Sequence, residues 1–278
     1  MDTNTTDQTL QADLAENSGV MASITEAMNA PRPKEAPSFL EGKAVVVTGG
    51  TTGIGRSLAK MLVHQGAKVL IYGRHEKELQ DALADMKPNG KGQIEGMVAD
   101  QSDVSEVEKV FKAADEKLGG VDILVNNAAI SSGKIGETNL EDMKYALDVN
   151  VLGYMACCKL AFERMKAKGD GHIVNIGSMS ADAEDGSSVY VATKSAVRGF
   201  SKSFAKEANK EGIRVTNIEP GSVGTDMSEV GPEEQRAKQA EGKMLMAEDI
   251  AECVLYAIRQ PNRCDVAFVQ IRPRIEEE

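Results

Sequence analysis

Residues 44–60, AVVVTGGTTGIGRSLAK, run from an apolar segment through a glycine-rich turn into an amphipathic helix. Gly49, Gly53 and Gly55 allow a tight turn and a close approach of a phosphate group to the backbone. The helix that follows offers unpaired N–H groups and the positive end of its dipole to an anion. The segment therefore predicts the opening βα unit of a fold that binds a nucleotide.

The same alternation of apolar runs and amphipathic stretches continues to residue 271. Buried strands are predicted at 44–48, 68–72, 94–99, 121–126, 172–177, 213–219 and 266–271. Helices are predicted near 54–66, 76–86, 103–118, 139–167, 188–211 and 247–259. Strand-helix alternation favours right-handed crossovers, so we expect an α/β, Rossmann-type doubly wound fold with a seven-stranded parallel sheet flanked by helices on both faces.

Composition narrows the range of partners. The 278 residues carry a formal net charge of -11, which repels phosphate backbones and anionic lipid surfaces. No run reaches the roughly 18 apolar residues that a membrane span needs, and the acidic start MDTNTTDQTL is unlike a signal peptide. We therefore expect no nucleic acid and no membrane as partner, and a cytoplasmic location.

The four cysteines do not predict a metal site or a disulfide framework. Cys157 and Cys158 are adjacent, Cys253 and Cys264 lie far downstream, and the chain has only 3 histidines. This spacing lacks a CxxC pair. We expect the cysteines to be small buried apolar residues and expect no bound metal.

The spacing of the glycine loop points to a family. The pattern is Gly49-x-x-x-Gly53-x-Gly55, and Leu58 stands where the general GxGxxG fingerprint needs its last glycine. It resembles the TGxxxGxG loop of the short-chain dehydrogenase/reductase family, and the resemblance covers most of residues 41–271. It implies that the loop contacts a dinucleotide through Gly49, Thr51, Thr52, Gly53 and Ile54.

The end of the second strand predicts which nicotinamide cofactor is used. A dinucleotide fold has an acid there for an adenosine ribose hydroxyl, or an arginine for a 2′-phosphate. The strand ends at Tyr72-Gly73-Arg74 without an acid, so Arg74 is a candidate phosphate contact and NADP(H) is favoured. NAD(H) stays open, because Arg74 also has Glu76 and Glu78 as potential ion-pair partners.

Three more segments match the family in order. Asp100 is similar to the residue that contacts adenine, and Asn126-Asn127-Ala128-Ala129 is similar to the NNAG segment, with Ala129 in place of glycine. This match implies a cofactor contact at Asn127. Pro220-Gly221-Ser222-Val223-Gly224-Thr225 resembles the loop that holds the nicotinamide carboxamide, with contacts assigned to Pro220, Gly221, Val223 and Thr225.

A tyrosine and a lysine four residues apart predict acid/base chemistry. In Tyr190-Val191-Ala192-Thr193-Lys194 the i, i+4 spacing places the phenol and the ammonium on one helix face. A nearby cation favours the phenolate, so we expect Lys194 to lower the pKa of Tyr190. The two residues form a candidate proton-transfer pair.

Two further polar residues complete a candidate catalytic set. Ser178 follows the strand HIVNIG, and Asn150 lies in a helix between apolar neighbours, where a polar side chain needs a partner or water. The resemblance assigns a proton-relay tetrad to Asn150, Ser178, Tyr190 and Lys194, and makes Tyr190 and Lys194 cofactor contacts as well. The interval of twelve residues from Ser178 to Tyr190 is one shorter than in many members, so Ser180 remains a second candidate.

The sequence predicts an N-terminal extension and linker, residues 1–40, ahead of a single dinucleotide-binding and catalytic domain, residues 41–278. The extension is acidic and ends with Pro31, Pro33 and Pro37. Apolar spacing favours a short helix within 10–28. A docking arm and a disordered tail both fit this segment.

The predicted function is NADP(H)-dependent hydride transfer between nicotinamide and a small carbonyl compound or secondary alcohol, such as a ketone, 3-hydroxy acid or sugar-like substrate. The stretch 222–246, where the family has a substrate lid, is polar, and the acids Asp182, Glu184 and Asp185 near the site disfavour an anion. The resemblance implies a homodimer or homotetramer.

Two alternatives remain. One is reduction of a 3-oxoacyl thioester on an acidic carrier protein, for which Lys202, Lys206 and Lys210 form a basic stripe along one helix. The other is a non-catalytic dinucleotide-binding sensor or scaffold, since a fold does not prove activity.

Overall fold

Seven short strands form one parallel sheet at the centre of the protein. The computed structural model describes residues 38–87, 91–183, 186–228 and 230–275. The strands are β1 (Ala44–Thr48), β2 (Lys68–Gly73), β3 (Gln93–Val98), β4 (Ile123–Asn126), β5 (Gly171–Ile176), β6 (Ile213–Pro220) and β7 (Phe268–Ile271). They pair in the order β3-β2-β1-β4-β5-β6-β7, and every neighbouring pair is parallel. The predicted seven-stranded parallel sheet is confirmed.

The helices connect the strands and cover the sheet. They are α1 (Gly53–His64), α2 (Glu76–Asp85), α3 (Val104–Leu118), α4 (Leu140–Leu147), α5 (Gly153–Lys168), α6 (Ser180–Ala183), α7 (Ser188–Ala208), α8 (Pro232–Glu241) and α9 (Ala247–Arg259). The reversal of strand order at β1 and β4 gives the doubly wound arrangement. The carboxyl ends of the strands therefore share one edge, where ligands bind in such folds.

Both faces of the sheet are buried, which explains the nearly continuous apolar strands. Val45 and Val47 of β1 point into a core with α1 and α9. Val46 and Leu124 point to the opposite core, which contains α3 and α5. Because successive strand residues alternate between faces, an uninterrupted apolar run is the pattern of a sheet covered on both sides.

The predicted helix 139–167 is interrupted. The structure has α4 and α5 joined by a π-helical segment, Asp148–Leu152, which contains Asn150. Asn150 is fully buried there and bonds the backbone of Ile130 on the neighbouring segment. A π segment widens the turn locally and is common at functional sites, and hydrophobic periodicity does not reveal it.

The described residues from Phe39 onward form one unit. Leu40, the last residue of the predicted extension, is fully buried in the core beside β1. The predicted helix within residues 10–28 lies outside the described residues. No helix in the described ranges has the length and apolar character needed to cross a membrane.

The cysteine expectation is correct for Cys157 and Cys158, which are fully buried. Burial raises the pKa of the Cys157 thiol to about 12. Cys253 is half-buried, and Cys264 is exposed. For Cys264 the expectation is wrong, because this residue lies in the loop between α9 and β7 rather than in an element that packs on the core.

Candidate active site

A cleft of about 1070 Å³ opens at the carboxyl edge of the sheet. It is bounded by the glycine loop after β1, the ends of β2, β4, β5 and β6, and the start of α7. The sequence-predicted residues that line it are Gly49, Thr51, Thr52, Gly53, Ile54, Arg74, Asp100, Asn127, Ser178, Tyr190, Lys194, Pro220, Gly221, Val223 and Thr225. The fold thus brings every predicted site residue except Asn150 to the wall of one cleft.

The glycine loop has the geometry of an anion cradle. Gly49 and Gly53 have φ values of 60° and 52°, a region that favours glycine. Thr52 makes no side-chain cap to α1, and the first turn of α1 contains no acid. Since Gly53 and Ile54 line the cleft, the uncapped N-terminus of α1 fits a pyrophosphate group.

Asn127 fixes the shape of this loop. Its side-chain amide donates to the carbonyls of Thr48 at 3.0 Å and Gly49 at 3.1 Å. In return, the hydroxyl of Thr48 accepts from the backbone N–H groups of Asn127 and Ala128. The resemblance implied only a cofactor contact for Asn127, whereas the structure shows that it also ties β4 to the loop after β1.

Arg74 lines the cleft and takes part in a chain of hydrogen bonds. Its guanidinium donates to the Tyr145 hydroxyl at 2.5 Å, and that hydroxyl donates to Asp100 at 2.8 Å. Burial alone raises the pKa of Asp100, but hydrogen bonds from Ser102 and Tyr145 hold it below its usual value. Arg74 is exposed and turned toward Tyr145 rather than toward Glu76 or Glu78.

Tyr190, Lys194 and Ser178 meet where α7 passes the end of β5. The Lys194 ammonium donates to the Ile176 carbonyl at 3.0 Å and lies 5.7 Å from the centre of the Tyr190 ring. Ser178 and Tyr190 line the same cleft, and the Ser178 hydroxyl favours the ionised form of the Tyr190 phenol and so acts to lower its pKa. Lys194 is only 2% exposed, so its charge acts on the phenol through protein rather than through water.

The pKa of Tyr190 differs from the sequence expectation. Burial raises it above the usual value, and the hydrogen bond from Ser178 only partly opposes this. The expected lowering by Lys194 is absent because burial also lowers the pKa of Lys194 itself, to about 8, against the opposing effect of Glu219. The pair is therefore a neutral phenol next to an ammonium that titrates close to neutral pH.

Asn150 is fully buried and does not line the cleft. Its side chain accepts from the Ile130 N–H at 2.9 Å and donates to the Ile130 carbonyl at 2.9 Å. It also donates to the hydroxyl of Thr193, the residue before Lys194, at 3.2 Å. Asn150 thus connects the π segment, the loop after β4 and α7.

The segment after Ser178 contains the second serine candidate. The Ser178 hydroxyl accepts from the Ser180 N–H at 3.1 Å, and both residues line the cleft. Asp182 of α6 forms an ion pair with Arg198 at 2.7 Å, which offsets its negative charge. Glu184 and Asp185, the other acids expected near the site, lie outside the described residues.

Several residues of the site were not predicted from the sequence. No sequence pattern pointed to Tyr145, because it joins the site only through the packing of α4. Glu219 could have been found from the sequence, because it is an acid inside the apolar strand IRVTNIEP. It is fully buried in the structure. Met227, Val230 and Met244 line the cleft, so the predicted polar segment 222–246 still supplies apolar surface.

The comparisons with known proteins agree with this fold. The family model of the short chain dehydrogenases matches residues 43–236. An uncharacterised oxidoreductase of Staphylococcus saprophyticus is 36% identical over 236 residues, which cover 84% of this chain and 98% of the relative. One from Staphylococcus aureus is 34% identical over 238 residues, covering 85% and 99%.

Two solved structures share the architecture. A short-chain dehydrogenase/reductase of Mycobacterium ulcerans superposes with a TM-score of 0.76 at 26% identity, covering 84% of this chain and 89% of the other. A short chain dehydrogenase of Burkholderia cenocepacia, solved in complex with NADP, gives 0.74 at 30% identity, covering 84% and 97%. The chain therefore belongs to the short-chain dehydrogenase/reductase family, and it is an oxidoreductase with a Rossmann nucleotide-binding fold.

Proposed function

We propose that the protein is an NADP(H)-dependent oxidoreductase that acts on a small carbonyl compound or secondary alcohol. The observation that carries the proposal is the meeting of the Tyr190 phenol, the Ser178 hydroxyl and the Lys194 ammonium in the same cleft as the anion cradle. When bound, the nicotinamide supplies or accepts the hydride. The side chains supply the proton and hold the substrate oxygen.

Tyr190 is the acid/base of this proposal. In the direction of reduction its hydroxyl donates a proton to the substrate oxygen, while the Ser178 hydroxyl stabilises the charge that develops there. The neutral state of the phenol, favoured by burial, suits the donor. The Lys194 ammonium stabilises the phenolate that remains, and it is one of the groups that would hold the nicotinamide ribose.

Support for NADP(H) over NAD(H) comes from Arg74. Only one of its amino groups is bonded to Tyr145, so the guanidinium keeps further N–H donors for a 2′-phosphate. No carboxylate follows β2 at residues 73–75, where an NAD(H) enzyme needs one for the ribose. The Burkholderia relative was solved with NADP, in line with this preference.

A small polar substrate fits the wall of the cleft beside Tyr190. Ser131, Ser132, Ser180, Ser187 and Ser222 line it, and the Ser132 hydroxyl is buried without a protein partner. A buried hydroxyl gains free energy from a hydrogen bond to a ligand. Met179 and Met227 add apolar contacts, so we propose a compound with a short apolar part and one or two hydroxyl groups.

We also propose a homodimer or homotetramer. Leu140, Leu147, Leu152 and Met155 are exposed along α4, the π segment and α5. A row of large apolar side chains on one helical segment favours association. Sedimentation velocity would detect the assembly, and a monomer at micromolar concentration would contradict it.

The decisive experiment is the initial rate with NADP(H) and with NAD(H) across a panel of small ketones, secondary alcohols, 3-hydroxy acids, sugars and acyl thioesters. We expect turnover of a small hydroxylated substrate, with a higher kcat/KM for NADP(H). Faster turnover of acyl thioesters would favour the carrier-linked reductase. Binding of the cofactor without turnover of any class would favour a sensor.

A further inference from the structure

Glu219, at the carboxyl end of β6, is a fully buried acid next to the site. Arg198 donates to both of its carboxylate oxygens, one of them at 2.6 Å. Asn217 donates to one oxygen at 2.9 Å and Gln270 to the other at 3.3 Å. All four contacts come from N–H donors and none from an acceptor, so the group is a carboxylate.

Arg198 extends this contact to the segment that carries Ser178. A third guanidinium N–H donates to Asp182 at 2.7 Å. The side-chain amide of Gln270, in β7, also donates to the Asp182 carboxylate, at 3.3 Å. Asp182 lies four residues after Ser178, so α6 is held to α7 and β7 by charged hydrogen bonds.

The residues before and after Ser178 form backbone hydrogen bonds with the residues before and after Glu219. The Gly177 N–H donates to the Ile218 carbonyl at 2.7 Å, and the Met179 N–H donates to the Pro220 carbonyl at 2.9 Å. A side chain at Gly177 would place its Cβ 2.9 Å from Cγ of Glu219. The residues on either side of Ser178 are therefore bonded to the residues on either side of Glu219, and the Glu219 side chain packs closely against Gly177.

Through Arg198, Glu219 is also bonded to the helix that carries Lys194. Tyr190, Lys194 and Arg198 follow at i, i+4 and i+8 on one face of α7. The Lys194 ammonium has the Tyr154 ring of α5 at 5.4 Å, the Tyr190 ring at 5.7 Å and the Ile176 carbonyl of β5 at 3.0 Å. These three groups are uncharged, whereas Glu219 on β6 favours the ammonium and opposes the effect of burial.

We propose that Glu219, Arg198 and Asp182, here called the Glu219 cluster, position the catalytic groups: they hold the segment that carries Ser178, and they fix a carboxylate against the helix face that carries Lys194. The inference rests on the function proposed above. None of the three side chains lines the cleft, so we assign them as positioning residues.

The first test measures the charge of Lys194 directly, in Glu219→Gln. Protein labelled with ¹³C-lysine is titrated by NMR, and the Lys194 Cε signal is assigned with Lys194→Arg. Removing a nearby opposite charge lowers the pKa of an ammonium, and we expect the midpoint to fall by about one pH unit. The control is Asp115→Asn, which breaks a similar carboxylate fork to Arg164 between α3 and α5. An unchanged midpoint in Glu219→Gln would overturn the proposal.

The second test, Asp182→Asn, covers the case in which Glu219→Gln does not fold. The Asp182 side chain is 60% exposed, so its loss leaves no buried charge unpaired in the core. We expect faster amide exchange at Met179, and a fall in kcat of about tenfold with unchanged KM for the cofactor. Asp182→Glu should recover part of the kcat. Amide exchange and kcat both equal to wild type would contradict the seating of Ser178.

The NMR titration and the amide exchange do not require turnover. Absence of turnover in the wild-type protein would contradict the proposed function. The midpoint of Lys194 in Glu219→Gln and the exchange rates in Asp182→Asn would still decide for or against the Glu219 cluster.

Discussion

Arg74 and Tyr145, 71 residues apart in the chain, share a hydrogen bond of 2.5 Å. The Arg74 guanidinium also lies 5.6 Å from the centre of the Tyr145 ring. A long, exposed arginine normally samples many rotamers, and fixing it before the ligand arrives lowers the entropy cost of binding. Under the proposed preference for NADP(H), we expect Tyr145 to prepare Arg74 for the 2′-phosphate.

Tyr145→Phe keeps the ring and removes the hydroxyl. We expect KM for NADP(H) to rise about three- to tenfold, the effect of one hydrogen bond, with little change in KM for NAD(H). Steady-state kinetics with both cofactors measure this. Arg74→Ala serves as the reference for complete loss of the phosphate contact. Equal effects of Tyr145→Phe on KM for the two cofactors would refute the proposal that Tyr145 orients Arg74 for the 2′-phosphate.

Tyr190→Phe removes the proposed proton donor and keeps the ring between Ser178 and Lys194. We expect kcat to fall about 100- to 10,000-fold, the usual contribution of general acid–base catalysis. Calorimetric titration should show cofactor affinity within about threefold of wild type. Tyr256→Phe, at a 59% exposed position on α9, is the matched control and should retain full activity. Near-normal turnover of Tyr190→Phe would mean that another group donates the proton.

The burial of Lys194 predicts how stability depends on pH. Its pKa is lowered from 10.5 to about 8 by burial. Below pH 8 the ammonium is charged in both folded and unfolded protein, and its burial is fully unfavourable. Between pH 8 and 10.5 the folded protein releases the proton first, so the unfolded state binds more protons and stability rises with pH.

Lys194→Met removes this buried charge. We expect the free energy of unfolding at pH 7 to increase by about 1–3 kcal/mol, while catalysis is lost. The difference from wild type should shrink as the pH rises from 8 to 10.5. Urea unfolding at several pH values measures it, and a difference that is constant across this range would be inconsistent with the lowered pKa.

Gly55→Ala tests the close contacts of the glycine loop. An added Cβ would lie 2.3 Å from the Gly49 carbonyl oxygen and 2.5 Å from the Asn127 amide nitrogen. We expect a loss of about 1–3 kcal/mol in stability, as in other overpacked sites, and weaker nucleotide binding. Gly136→Ala is the control, because its Cβ would meet no atom within 4 Å. Thermal unfolding with and without NADP⁺ measures both effects.

Much of this protein is determined by local sequence. The strands and the glycine loop were predictable because a parallel strand buried on both faces needs an unbroken apolar run, and a phosphate-binding turn needs glycine. The location of Tyr190 and Lys194 on one helix face was predictable, because helical geometry alone places residues i and i+4 on the same face. These features depend on neighbours within a few residues.

Other features depend on contacts between distant segments, and only the tertiary structure decided them. Asn127 closes the glycine loop from β4, Tyr145 holds Arg74 from α4, and Glu219 binds Arg198 from β6. The pKa of Tyr190 moves in the direction opposite to the sequence expectation, because burial in the folded protein outweighs the opposing effect of the Ser178 hydroxyl. Helix periodicity and motif spacing carry no information about burial depth or about which side chains meet across the sheet.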